Sequence, residues 1–431
     1  MKMQTFGKYM IKETHEPTKL TYYVNNPADV YTGARVALVV KAGANNEQTS
    51  ERGLSHFVEH MTINTMLHPS LDGVACFEAI DYAYTSFHET VYVFTSDAHS
   101  DENNEEDMLL FVERCIQTIK QILDGTLLME KSLPQVRCDV IHECKQSDVG
   151  KAKALHTIFE CENIRANLPV GYVDRIESFC FSDVQNYHKT WYLTENAGII
   201  ILGNISTIQV EEIISRTWFP ECFIPRFPQP NAAPEQLIQN VSTVTNDTDA
   251  ASIFLQLLSK EKRKAVCSRS QKEVCIDEQI EALIALHIVM QIVEGTINDY
   301  FADRDVDCHT LCCFAEPFSY DWYMVRFEFQ LAARGFDVNQ LTSWIQTHQL
   351  TKPLYEKAKN EFYSCVIERA QLYQTPSLSC MMDECIQNFV YDEPILCTEG
   401  EIKHISQYMK NDTFDTAKKI YENITHNLYV W

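Results

Sequence analysis

Long apolar runs are missing from this 431-residue chain. No stretch of 18 or more apolar residues occurs, so no membrane span is expected. The N-terminus, MKMQTFGKYMIKETHEP, lacks the apolar core of a secretory signal. Positive charge is scarce as well. Lys and Arg number 36 against 60 Asp and Glu, a net charge of -24, and no useful Lys/Arg-rich tract is present. Nucleic acid and anionic membrane are therefore not expected partners. The acidity favours solubility, and in a peptide-binding protein it could also furnish an acidic chamber suited to basic peptides. The 16 cysteines are scattered and show no paired C-x-x-C spacing. That pattern predicts reduced thiols in the cytoplasm and excludes a structural zinc site of paired cysteines. Cys138 and Cys144 read as packing residues on one helix.

What is present is concentrated at His56-Phe57-Val58-Glu59-His60, an H-x-x-E-H motif. Histidines four apart lie one above the other on a helix face, so both imidazoles can reach one metal ion. Glu59 sits at the flank of that face, where it can hold a water on the metal rather than the metal itself. Hydrolytic zinc takes N, S or O ligands and keeps one position open, so a third protein ligand has to come from elsewhere. Arg35 to Gly43 reads as a buried strand before the motif. Gly53-Leu54-Ser55 offers a helix start with Ser55 as a candidate N-cap, and His68-Pro69 a stop. His56, Glu59, His60 and Ile63 then share one stripe. Polar groups on a buried helix are costly unless paired or coordinated.

The rest of the chain reads as two similar halves of α+β character. Residues 1–219 form the first, and residues 220–234, with five prolines, form an extended linker. Residues 235–431 form the second, which contains no H-x-x-E-H. Helices are predicted over 105–123, 182–192, 277–301 and 351–373. Strands are predicted over 197–202, 252–258, 308–315, 322–331 and 428–431.

Four local matches carry a resemblance to the pitrilysin/insulinase-like metallopeptidases, which include the mitochondrial processing peptidases. They are Val39-Val40-Lys41-Ala42-Gly43, then Gly53 to Met61 around the motif, then Ala83-Tyr84-Thr85-Ser86-Phe87-His88-Glu89-Thr90-Val91-Tyr92, and Val140-Ile141-His142-Glu143. A looser likeness covers the remainder, with Leu168-Pro169-Val170-Gly171, Tyr187 and Tyr192 resembling the end of the family's first domain. The resemblance implies two homologous α/β sandwich-type domains that form one half of a clamshell peptidase. It implies zinc held by His56, His60 and Glu143, with Glu59 as the catalytic base. Glu143 stands 83 residues after His60, where the family places its third ligand. Spacing alone does not separate Glu143 from Asp139 one turn earlier, which could instead be an outer partner of a ligand histidine. His142 would point away from Glu143 on a helix. The resemblance also implies that Ala83, Tyr84 and Thr85 bind substrate by adding a peptide strand to their own. His88 and Glu89 would face opposite sides of that strand.

Departures are visible too. Tyr82 replaces an Asn of the family strand, and Val136 stands where many members carry a second Glu. Arg304 and Cys308 occupy the positions where the resemblance implies an Arg and a Tyr of the second domain. The activity implied is a zinc metalloendopeptidase acting on peptides, including precursor or leader peptides. Its partner would be a second unit, as a homodimer or as a heterodimer with a related chain. The rival reading is a non-catalytic partner subunit or peptide-binding scaffold, against which the intact motif speaks.

Overall fold

The computed structural model describes residues 4–6, 10–25, 33–67, 80–96, 105–146, 168–218, 253–262, 276–317, 322–331, 337–372 and 378–430. The expected helix stop at His68-Pro69, the stretch 220–234 and the boundaries at 219 and 235 lie outside them. Seven strands build the first sheet. They are β1 (Gln4–Phe6), β2 (Met10–Thr14), β3 (Thr21–Asn25), β4 (Arg35–Val40), β5 (Ile80–Thr85), β6 (Thr90–Thr95) and β7 (Ala197–Leu202). Their order is β1-β2-β3-β7-β4-β6-β5. Only β3 and β7 run parallel; the other neighbours are antiparallel. The central strands are rich in β-branched residues (RVALVV, TVYVFT, AGIIIL) and buried on both faces.

The period of two sorts those side chains between two covers. Val36, Leu38, Val40, Tyr92, Phe94, Ile199 and Ile201 face helices of the first half. These are α1 (Leu54–Leu67), α2 (Glu105–Asp124), α3 (Leu133–Gln146), α4 (Val173–Ser178), α5 (Phe181–Trp191) and α6 (Thr207–Trp218). Ala37, Val39, Val91, Val93, Ile200 and Leu202 face the other way, against Met381, Met382, Cys385, Ile386 and Phe389.

Those last residues belong to the second half. It contains β8 (Ile253–Lys262), α7 (Ile276–Ala302), β9 (Cys308–Pro317), β10 (Trp322–Leu331), α8 (Val338–Thr347), α9 (Lys352–Leu372), α10 (Leu378–Tyr391), α11 (Cys397–Tyr408), α12 (Phe414–His426) and β11 (Tyr429–Val430). Its sheet has the order β11-β8-β10-β9 and its own core with α7 at the centre. By length and hydropathy α7 could cross a membrane. Here Ile280, Ile284, Ile288, Val289, Val293 and Ile297 are packed into that core instead.

Helix α10 departs from the simple picture of two separate halves, because it lies on the outer face of the first sheet. Gly198 makes the room: a Cβ there would stand 3.0 Å from the Phe389 ring. Burial of a side chain such as Phe389 contributes about 1.5–3 kcal/mol. Polar contacts fix the helix in register. Tyr23 Oη donates to Asn388 Oδ1 at 2.8 Å, and Lys12 Nζ donates to the same oxygen at 3.0 Å.

Candidate active site

Helix α1 is buried nearly all round, including Ser55, His56, Glu59, Thr62 and Thr65. Leu54, Phe57, Val58 and Met61 anchor it in the core. It begins at Leu54, so Ser55 is not its N-cap. The capping is done by Glu47, whose carboxylate accepts from the backbone N–H of Gly53 and Ser55, both at 2.8 Å, and from Ser55 Oγ at 2.5 Å. Burial raises the Glu47 carboxyl to about 8 against these three hydrogen bonds, so the cap rests on the bonds rather than on a fixed negative charge at the helix end. Gly53 (φ +94°) and Gly171 (φ +77°) press the loop 168–172 onto this helix start, where a Cβ on Gly53 would stand 2.7 Å from Gly171 Cα. Leu168, Pro169 and Val170, which resembled a domain end, thereby become part of the wall of the site.

The His56 and His60 rings meet edge to face, with their Nε2 atoms 3.0 Å apart. Helix α3 crosses α1 and is seated by two buried residues, Val136 and Val140. One turn further on the same face, Glu143 brings Oε2 to 3.4 Å from His60 Nε2 and Oε1 to 3.6 Å from His56 Nε2. Four ligands about 2.0–2.1 Å from a tetrahedral zinc lie about 3.3 Å from one another. The two nitrogens and the carboxylate, which approaches each imidazole with a different oxygen, offer ligand atoms within 4.8 Å of one another, and two imidazoles with one carboxylate suit zinc chemically. Among the residues left open by spacing, Glu143 makes the closer approach to the two imidazoles, while the charge of Asp139 still helps to raise the His60 pKa. Asp139 is exposed and accepts from Gln135 Nε2 at 2.9 Å, and His142 is exposed beside Gln146. Cys144 packs against the core, but Cys138 is exposed, contrary to the packing role expected for it. Val136, in place of a second Glu, is a core residue.

Burial, reinforced by the neighbouring His60, pushes His56 down to about 4 and keeps its imidazole neutral. Burial also opposes charge on His60, but Glu143 and Glu59 outweigh it and raise its pKa. The hydrogen bond from His60 lowers the Glu143 carboxyl. Burial raises Glu59 to about 7, against the pull of His60 and of the Thr85 hydroxyl. Thr85 Oγ1 donates to Glu59 Oε2 at 2.9 Å.

Ala83, Tyr84 and Thr85 end β5, which is an edge strand. Among the described residues it pairs only with β6, through Ala83↔Tyr92, Tyr84↔Val91 and Thr85↔Thr90. Tyr82, the departure from the family strand, is 42% exposed and stacks on Tyr84. His88 and Glu89 are not on a strand; they lie in the turn to β6, where Ser86 N–H donates to Glu89 O at 2.8 Å.

The edge strand and the His56-His60-Glu143 cluster line one cavity of about 960 Å³, closed on the far side by Glu316 of β9, Arg326 of β10, and Asp383 and Gln387 of α10. Sequence reasoning missed all four. The one available signal was Arg326 and Glu328 interrupting the apolar strand WYMVRFEFQL. Arg304 lies elsewhere, stacked 3.7 Å over the Tyr300 ring, and Cys308 packs against the second core. Among the described lining residues, Glu59, Glu89, Glu143, Glu316 and Asp383 stand against Arg326, itself ion-paired to Glu328, and the imidazoles of His56 and His60. The wall is therefore acidic, as the composition suggested.

Glu89 gives the site a pH signature. Its carboxylate is buried and accepts from Tyr391 Oη at 3.0 Å, yet burial raises it from the usual 4.5 to about 7. A folded-state pKa above the unfolded one means the folded chain holds this proton more tightly. The stability from this group is complete below about pH 4.5 and is lost as pH rises to about 7, by at most about 3 kcal/mol. Glu89→Gln is expected to reduce the loss of stability with rising pH by this group's share, leaving the shares of Glu47 and Glu59. Urea midpoints at pH 5 and pH 7.5 check it, and a slope unchanged from the parent chain rules Glu89 out as one of the titrating groups.

The family model described as insulinase (peptidase family M16) matches residues 23–164, a span that holds His56, Glu59, His60 and Glu143. That span is about a third of the chain, and it carries the likeness to the insulinase family. The probable zinc protease PqqL of Haemophilus influenzae is 23% identical over 46% of this chain and 22% of its own length. The chloroplastic stromal processing peptidase of Arabidopsis thaliana is 22% identical over 45% of this chain and 16% of its own length. The chain thus matches about a fifth of the length of these relatives. In three dimensions it resembles the first half of the periplasmic protease PqqL from Escherichia coli, with a TM-score of 0.68 at 14% identity, over 100% of this chain and 92% of that one. The likeness of fold accordingly extends through both halves. The relatives named here are peptidases, PqqL a zinc protease, and they are periplasmic or chloroplastic where a compartment is named. The cytoplasmic expectation has no counterpart among them.

Proposed function

We propose that this chain is a zinc-dependent endopeptidase acting on peptides that enter the cavity between its two halves. The observation that carries the reading is the convergence of His56, His60 and Glu143 within ligand reach of one point, beside a buried Glu59 and an edge strand. Zinc, when bound, supplies a Lewis acid that lowers the pKa of its water toward about 7 and polarises a carbonyl. The imidazoles of His56 and His60, the latter giving up its proton to solvent when the ion binds, and the Glu143 carboxylate would hold the ion. Glu59 accepts the proton of the attacking water and returns it to the leaving amine. The outer edge of β5 at Ala83, Tyr84 and Thr85 offers backbone groups to an extended peptide. The acidic wall favours peptides with basic residues near the cut bond, and precursor or leader peptides are the natural class to test, given the stromal processing peptidase among its relatives.

The deciding experiment measures zinc per chain and cleavage of a quenched peptide library. One ion per chain is expected, with cleavage abolished by a chelator and restored by added zinc. Cleavage indifferent to chelation rejects the proposal.

We also propose a second unit, identical or related, facing this one. Zinc hydrolysis profits from a closed, water-poor site, which a second unit over the cavity would supply. Specific activity is expected to fall on dilution as light scattering reports dissociation. A monomer with undiminished activity at high dilution defeats this part.

A further inference from the structure

We infer that the Thr85 side chain is a positioning residue for Glu59, holding one carboxylate oxygen so that the other faces the reacting water. The inference rests on the peptidase reading and assigns Thr85 a role apart from its backbone.

The directions of the hydrogen bonds are settled by proton counting. Thr90 Oγ1 lies 2.8 Å from Ala42 O, and a carbonyl can only accept, so the Thr90 proton is committed there. Thr85 Oγ1 lies 3.4 Å from Thr90 Oγ1 and 2.9 Å from Glu59 Oε2. Its single proton goes to the carboxylate, the shorter contact and the charged acceptor. No described residue bonds Glu59 Oε1, and Glu59 lines the cavity. The two oxygens therefore have different tasks, one anchored and one available.

The anchor is stiff. Thr85 is β-branched, with few χ1 choices on a strand. Its backbone is held in register opposite Thr90, and the turn after it is pinned where Ala44 N–H donates to Ser86 O at 3.0 Å and Asn45 N–H to Phe87 O at 2.8 Å. A Cβ on Gly43 would stand 2.5 Å from Ser86 O, so this turn has no slack toward β4. A Glu side chain has three rotatable bonds, and without the hydroxyl it would sample several orientations on the cavity floor. Thr85 also ends the strand proposed to receive the peptide, so one residue ties substrate docking to the aim of the base.

Thr85→Val keeps the shape and removes the hydroxyl. A hydrogen bond to a charged group is worth about 1.5–3 kcal/mol, so kcat is expected to fall roughly 10–100-fold. KM should stay within about twofold and zinc at one per chain. Thr85→Ser is expected to restore kcat to within about threefold. Crystal structures of both variants without metal give an independent readout: Glu59 turned away in the valine variant and retained in the serine variant. A kcat for Thr85→Val within twofold of the parent, a loss confined to KM, a loss that serine does not restore, or a Glu59 unmoved in the valine variant overturns the inference. Should the parent chain show no zinc-dependent cleavage, the peptidase reading fails, and the structural comparison still decides whether Thr85 orients Glu59.

Discussion

Glu59→Gln is expected to retain one zinc per chain and to lose roughly 10²–10⁴-fold in kcat, the range a general base contributes. The amide has nearly the shape of the carboxylate and offers an oxygen that can still accept from Thr85 Oγ1, so the side chain keeps its place. Its other atom is a nitrogen that donates and cannot take up a proton from water. The ligand atoms of His56, His60 and Glu143 are untouched, so the metal stays. The two readouts, metal analysis and single-turnover cleavage, must therefore separate. A variant with undiminished kcat removes Glu59 from the role of base, and one that has lost its zinc makes it part of the metal's hold.

Glu143→Gln is expected to move both readouts together. The site draws its only formal negative charge among the three donors from this carboxylate, and a neutral amide oxygen is a poorer partner for a dication. Zinc affinity measured against a competing chelator is expected to fall at least about 100-fold, beyond the 10–100-fold typical of losing a mere outer partner of a ligand. Asp139→Asn provides the contrast, because Asp139 is turned to solvent with Gln135. Its zinc affinity and cleavage should match the parent chain. The reverse pattern, zinc intact in Glu143→Gln and lost in Asp139→Asn, transfers the ligand role to Asp139.

These two residues also mark where sequence reading reaches its limit. Val136, Val140 and Glu143 fall on one helix face by their spacing, but Asp139 and Glu143 lie one turn apart, and only the crossing of α3 over α1 selects between them. Helix ends were legible to within a residue or two at α1, α2, α7 and α9, because apolar periodicity and capping chemistry are local. The cap of α1 was misread for the same reason. Ser55 looked like a cap by type, whereas the carboxylate that takes the orphan N–H groups, Glu47, lies eight residues away from Ser55 across two turns. His88 and Glu89 were placed on a strand because the turn between β5 and β6 contains no glycine or proline to announce it.

The far wall of the cavity was the least legible part. Glu316, Arg326, Asp383 and Gln387 lie on β9, β10 and α10, each unremarkable in its local sequence, and Arg304 was the better local candidate. Helix α10 lies outside the helices predicted from the sequence, and nothing in its own pattern says that it covers the sheet of the other half.

The sequence alone determined that His56 and His60 share a helix face with Glu59 beside them, since a spacing of four becomes a common direction through helix geometry and nothing else. It likewise determined the apolar strands around them and the acidic balance of the chain. The tertiary structure decided which carboxylate comes closest to the two imidazoles, which hydroxyl bonds Glu59, and which residues line the cavity. The Thr85–Glu59 bond spans 26 positions and the Tyr391–Glu89 bond 302. Contacts at such separations are set by how whole cores pack, a balance of burial and close fit over many side chains, and no short stretch of sequence carries that balance.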